Sequence, residues 1–187
     1  MSQIQDLKTL VGQLFIVGFD GLSVPADFKK AMKEHHLGGT LYFKRNVESS
    51  SQLAELSNEL QFDCRLADAP FLFISIDHEG GKVNRLGKPF TVFPGNENLG
   101  FINSPKMAFQ FGAIIAKELK AVGINLNFAP VVDVNTNPDN PVMKGRMFSS
   151  DPEICGKIGS AVCRGIQKQG VAAVAKHFPG HGDTKID

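Results

Sequence analysis

Five apolar runs alternate with helix-type segments along this 187-residue chain, and charged residues follow each run directly. Together these observations predict an α/β protein, a (β/α)8 TIM-type barrel truncated to about the first five β/α units. Alternating strands and helices argue for a parallel sheet with right-handed crossovers. Strands that are apolar at successive positions are covered on both faces. An open doubly wound sheet fits both points, but it uses its polar strand ends mainly at one switch point. Here Asp20, Lys44-Arg45, Asp77, Asp133 and Lys176-His177 follow five different runs, the distribution a barrel uses to build its active site. A complete barrel takes roughly 250 residues, so roughly three units are expected to be missing.

The elements follow in order. Leu14–Phe19 reads as a buried strand ended by Asp20-Gly21, and Pro25–His36 as a helix. Leu37–Phe43 is a second strand, entered through Gly38-Gly39, and Ser49–Leu60 a helix with Leu53, Leu56 and Leu60 on one face. Phe71–Ile76 is a third strand, strongly apolar, which delivers Asp77-His78-Glu79 and then Gly80-Gly81. A long irregular segment rich in Gly, Pro and Asn runs to Asn103. Ser104-Pro105 then opens a helix, with Ala108, Phe111, Ile115, Leu119 and Val122 at helical spacing and Gly123 as its stop. Ile124–Pro130 is the fourth strand, followed by the polar loop Val131–Ser150. Asp151-Pro152 opens the last helix, Gly170 ends it, and Val171–Ala175 is the fifth strand.

A hydrophobic content of 42% and a charged content of 21% are those of a globular chain with a real core. The net charge of +1 leaves no electrostatic footprint for nucleic acid. Three cysteines, Cys64, Cys155 and Cys163, form no closely spaced pair of the metal-binding type and read as reduced thiols of a cytoplasmic protein. No signal-peptide apolar region precedes the first strand, and no stretch approaches a membrane span.

The most chemical stretch is Lys176–Asp187, KHFPGHGDTKID. Pro179 and Gly180 between His177 and His181 forbid a helical pair of ligands, so a metal site is the weaker reading. A lysine at a strand end beside a histidine places cationic donors where a ligand's oxygens can meet them. Asp77, at the end of a very apolar strand, is a functional candidate on position. Arg85 lies in a Gly/Asn-rich loop and suits bidentate recognition of oxygens, although a lone arginine is more often in a surface salt bridge. Arg146 follows a glycine in the loop Asp139–Ser149, where a functional loop and an ordinary turn-rich connection fit equally. Two carboxylates and a histidine at Asp77-His78-Glu79 could bind a polyhydroxyl ligand or a metal, with a solvated Gly turn as the alternative; Glu79 falls on the opposite side of an extended backbone from His78, and its role is open. Asp133 is expected to order the loop around Asp139–Ser149 by accepting backbone hydrogen bonds. No phosphate-binding, dinucleotide-binding or nucleophile-elbow motif is present. The chain stops at Asp187, within this loop, which leads to the expectation that it is incomplete.

KHFPGHGDT resembles the signature loop of glycoside hydrolase family 3, in its β-N-acetylglucosaminidase (β-hexosaminidase) branch. IDHEGGKVNRL from Ile76, FAPVVDV from Phe128 and NPVMKGRMF from Asn140 resemble other blocks of that branch, in the right order. The resemblance implies that residues 1–187 are part of the N-terminal catalytic domain, without its C-terminal barrel units. It further implies retaining removal of terminal β-linked N-acetylglucosamine, from glycosides such as peptidoglycan fragments or muropeptides, with no cofactor and no metal. Asp77, Arg85, Arg146, Lys176 and His177 would bind the sugar. Asp187 would partner a general acid/base histidine two residues beyond the last one, and the nucleophilic aspartate would lie further on. The chain alone is then expected to be inactive. A non-catalytic sugar-binding remnant and a β-N-acetylglucosaminide phosphorylase are the rival readings. His78 stands where the family usually has Gln, and Met147 where it usually has Ser, two departures beside expected ligand contacts.

Overall fold

A computed structural model describes residues 7–67 and 69–186. The chain forms two compact units. The first runs to Ile76 and includes Ala121–Asn125, and the second holds Asp77–Lys120 and the chain from Leu126 onward.

In the first unit the order is α1 (Leu7–Gly12), β1 (Ile16–Val17), α2 (Ala26–His35), β2 (Gly39–Tyr42), a 3-10 turn (Lys44–Asn46), α3 (Ser50–Leu66) and β3 (Phe73–Ile76). The three strands are parallel and each pairs with the one before it. Ile16 lies opposite Gly39, and Gly39 opposite Phe73. Gly39 is required there, because a Cβ would sit 2.4 Å from the Phe73 carbonyl oxygen. Leu53, Leu56 and Leu60 of α3 are buried as their spacing predicts, and the helix starts on Ser49, whose side chain accepts from the Gln52 amide. It runs to Leu66, six residues past the expected end at Leu60, held partly by Lys29 of α2, whose Nζ meets Glu59 at 2.5 Å and Asp63 at 3.1 Å. Asn125 completes the edge of β3: its Oδ1 accepts from the Ile74 amide at 2.8 Å and its Nδ2 donates to the Leu72 carbonyl at 2.8 Å.

The second unit contains α4 (Asn96–Ile102), all but the last residue of α5 (Pro105–Ala121), β4 (Leu126–Asn127), α6 (Pro152–Lys168) and β5 (Ala172–Ala173). β5 pairs with β4 in parallel, Leu126 opposite Ala172. In both units, then, a strand lies beside its predecessor in the chain, and among the described residues neither contains the order reversal of a doubly wound sheet. The helix starts fall as expected: the Met107 amide donates to Ser104 Oγ at 3.4 Å, and the Glu153 amide to Asp151 Oδ1 at 2.8 Å. Gly123 and Gly170 both take positive φ just beyond helix ends.

Three expectations need correction. The strands are shorter than their apolar runs, because only a few residues of each run keep ladder pairing. The run Leu14–Phe19 is not buried: Leu14, Phe15, Ile16 and Val17 are exposed, and only Phe19 reaches the core. The irregular segment before Asn103 contains α4, a seven-residue helix with Gly100 inside it, so local propensity gives no sign of it.

Candidate functional site

β3 ends at Ile76, and the next residues open the second unit. Asn127, fully buried on β4, fixes His78 from both sides: its Oδ1 accepts from the His78 amide at 3.0 Å and its Nδ2 donates to the His78 carbonyl at 2.9 Å. The Glu79 amide donates to the Val83 carbonyl at 2.9 Å. Gly80 and Gly81 then turn the chain with φ of 83° and 61°, a region that disfavours any residue with a Cβ. Held at both ends, Glu79 points inward, and its side chain is 0% exposed.

A buried carboxylate needs partners, and Glu79 has two. Its Oε2 accepts from Arg146 Nε at 2.9 Å and its Oε1 from Arg146 Nη2 at 2.8 Å, a two-pronged pair. Lys176 Nζ lies 2.7 Å from Glu79 Oε1 and 2.6 Å from Asp77 Oδ1. Burial alone would raise the Glu79 carboxyl, but the Arg146 hydrogen bond and the Lys176 charge outweigh it and hold the group below the ordinary glutamate range. Lys176 is set by its main chain: its amide donates to the Pro130 carbonyl at 3.1 Å, and its carbonyl accepts from the Val132 amide at 2.7 Å. Arg146 follows Gly145 at φ 80°, and its carbonyl accepts from Asn96 Nδ2 of α4 at 2.8 Å. Val131, Met143 and Met147 form a small buried apolar cluster alongside.

Asp133 is the second centre. Its side chain is 0% exposed, and its Oδ2 meets His177 Nδ1 at 2.5 Å. Oδ2 also accepts from the His177 amide at 3.2 Å, and Oδ1 from the His181 amide at 2.6 Å. Asp133 therefore orders the loop at residues 177–181, not the loop around Asp139–Ser149 that the sequence leads one to expect. Asn140 orders the latter and joins the two loops: its Oδ1 accepts from the Val142 and Met143 amides at 3.0 and 2.9 Å, while its Nδ2 donates to the His181 carbonyl at 2.8 Å. The His177 and His181 rings meet edge to face, 5.4 Å between centroids. An open cleft of about 610 Å³ borders this loop, lined by residues that include Asp133, Lys176, His177, Phe178 and Asp183. Phe178, 98% exposed, stands at its side.

Of the residues singled out in the sequence, Asp77, Arg146 and Lys176 converge on one ion-pair network, and His177 joins the cleft through Asp133. Lys176 belongs to both network and cleft. Arg85 is not part of the network among the described residues: its Nε is buried without a hydrogen-bond partner, and its charge acts on His78. Asp187 lies outside the described residues. Sequence reasoning missed Glu79, Asn127 and Asn140. The signal available for Glu79 is chemical: an acidic residue three positions past a buried, mostly apolar strand needs a cation, and Arg146 and Lys176 are both candidates.

The model of the glycosyl hydrolase family 3 N-terminal domain matches residues 6–187. Beta-hexosaminidase A of Pseudoalteromonas piscicida is 40% identical over 171 residues, covering 88% of this chain and 28% of that protein. Beta-hexosaminidase of Hydrogenovibrio crunogenus is 37% identical, covering 97% of this chain and 52% of that protein. The chain thus spans about half or less of the length of these curated relatives. Among solved structures, a family 3 beta-N-acetylglucosaminidase from Paenibacillus sp. superposes with a TM-score of 0.94 at 47% identity, over 97% of this chain and 35% of that one. NagZ of Neisseria gonorrhoeae, in complex with N-trifluoroacetyl-D-glucosamine, gives 0.85 at 32% identity over 92% of this chain and 51% of that one. The expected parallel α/β fold of barrel type holds at these similarities. Motif order, fold and family match agree over nearly the whole sequence, and the chain belongs to the glycoside hydrolase family 3 N-terminal domain family.

Proposed function

We propose that these residues form the sugar-binding part of a retaining β-N-acetylglucosaminidase, acting in the cytoplasm on terminal N-acetylglucosamine of cell-wall fragments such as muropeptides. One observation carries the reading. Three separate motifs bring Asp77, Arg146 and Lys176 to one network, and Lys176 with His177 borders an open cleft. Charged donors and acceptors in fixed positions beside a cleft of this size suit a ligand made of hydroxyl groups. The names of the similar proteins support the choice of N-acetylglucosamine. Lys176 and Arg146 would donate to sugar oxygens, Asp77 would accept from hydroxyls, and Arg85 and His177 would complete the set. Asp187 would orient a general acid/base histidine supplied from beyond these residues.

Retaining hydrolysis needs two groups acting on opposite faces of the anomeric centre. The resemblance places neither group within residues 1–187. A polypeptide limited to these residues is therefore expected to bind N-acetylglucosamine weakly and to release no product from an aryl β-N-acetylglucosaminide. Turnover by that polypeptide at the rate of a longer relative would overturn the reading. In a longer form that turns over, Lys176→Ala is expected to lower kcat/KM by at least about a hundredfold, through lost charge-assisted bonds in a desolvated pocket. Kinetics within a factor of two of the parent would remove Lys176 from the site.

A further inference from the structure

We propose that Glu79 is a positioning and specificity-setting residue of this site: it holds Arg146 and Lys176 in one arrangement and cancels one of their charges, so that the cluster takes neutral hydroxyls in preference to anions. The inference rests on the carbohydrate reading above and adds to it a residue and a selection rule.

Geometry excludes a direct role for Glu79. Its side chain is 0% exposed, so no ligand reaches it. It acts through the two cations it binds. Both oxygens engage Arg146, at 2.9 and 2.8 Å, which fixes the plane of the guanidinium. One oxygen is shared with Lys176 at 2.7 Å. An ammonium has three N–H donors; Lys176 directs one to Glu79 and one to Asp77, leaving one for a ligand. Glutamate is the right length for this task. Aspartate at the same main-chain position is one methylene shorter and would not reach both cations. The main chain here is itself fixed, by Asn127 before it and by the Gly80-Gly81 turn after it.

Charge supplies the selection. Asp77 and Glu79 balance Lys176 and Arg146, so the four-residue cluster is formally neutral. Without the Glu79 charge the same cluster carries a net positive charge beside an open cleft, and it becomes an anion site. A residue with only a packing role would weaken the fold without creating such a preference.

The test measures N-acetylglucosamine and inorganic phosphate binding separately, by NMR titration of the parent chain, Glu79→Gln and Glu79→Asp. The parent is expected to bind the sugar and to show little affinity for phosphate. Glu79→Gln is expected to lose about tenfold in sugar affinity and to gain about tenfold for phosphate, the size of one charged contact. Glu79→Asp keeps the charge and loses the geometry, so its sugar affinity falls while its phosphate affinity stays low. Unchanged sugar affinity in both variants overturns the positioning role. No phosphate gain in Glu79→Gln overturns the selection rule. Should Glu79→Gln fail to fold, Glu79→Asp decides, and sugar affinity within twofold of the parent sinks the proposal. A parent chain that binds no N-acetylglucosamine refutes the carbohydrate reading instead, while the phosphate arm still judges Glu79.

Discussion

His78 is 1% exposed, and its Nδ1 has no hydrogen-bond partner among the described residues. Its pKa lies at about 4, down from 6.5, chiefly through burial; the Glu118 charge opposes the shift and the Arg85 charge adds to it. The unfolded chain therefore takes up this proton at higher pH than the folded one. Stability from His78 is complete above pH 6.5 and is lost as pH falls toward about 4, by about 3 kcal/mol in all. Glu79 acts in a lower window, since a depressed carboxyl contributes stability above its ordinary value of 4.5 that is lost as pH falls below it. Urea midpoints at pH 7 and pH 4.5 should thus fall steeply for the parent and less for His78→Gln; equal losses would show that His78 does not set the acid limb. At this scale the sequence reveals residue types better than partnerships. Asp77 and Lys176 stand out by position, and Arg146 only by the family resemblance; Glu79 does not stand out, because alternation along an extended strand puts it opposite His78 and gives no hint of its cationic partners. Asp133 was assigned to the wrong loop for a similar reason: residues 44 and 48 positions later supply its partners, and sequence distance carries no information about which loop returns.

Helices α3, α5 and α6 were legible because each is long, capped and marked by apolar residues at helical spacing. The short elements were not. α4 depends on tertiary contacts: Asn96 bonds to the Arg146 carbonyl, and Gly100 packs where a Cβ would lie 1.7 Å from the Phe148 carbonyl oxygen. Close approach also governs the longer pair. A Cβ on Gly112 of α5 would lie 2.4 Å from the Val162 carbonyl oxygen, and one on Gly165 of α6 would lie 2.2 Å from the Phe109 carbonyl oxygen. Backbone cannot give way as a flexible side chain does, so Gly165→Ala must push the two helices apart. Overpacking of this kind costs about 1–3 kcal/mol, which for a chain of this size lowers Tm by very roughly 2–12 °C. Gly156 of the same helix has open space around its Cβ position, so Gly156→Ala should leave Tm unchanged or raise it slightly through better helix propensity. Thermal melts of the two variants compare them directly, and a Gly165→Ala melt equal to that of Gly156→Ala would contradict the close packing.

For the whole molecule, the family was legible from one string, KHFPGHGDT, because its Pro, Gly, His and Asp residues serve a loop that few other sequences would need to build. The degree of burial was not legible, since an apolar run looks the same whether or not something covers it. The run Leu14–Phe19 has the composition of a core strand, yet Leu14 is 81% and Phe15 55% exposed. Leu7, Val11, Phe15, Val17 and Leu37 line an apolar cleft of about 530 Å³. β1 pairs with β2 along one side, and no second strand partner of β1 occurs among the described residues. An exposed apolar edge without a charge or proline invites pairing with another chain. Each large side chain left in water forgoes about 1.5–3 kcal/mol of burial, against a typical domain stability of about 5–15 kcal/mol. A polypeptide limited to these 187 residues is therefore expected to self-associate through this edge, with a mass by light scattering above the 20.3 kDa of one chain. Lysine at Leu14 and Phe15 places charge on exposed positions, so the double variant should return to the mass of one chain without a lower Tm. A parent polypeptide that is monodisperse at 20.3 kDa, with a single cooperative melt well above room temperature, would show that the exposed strand does not drive association.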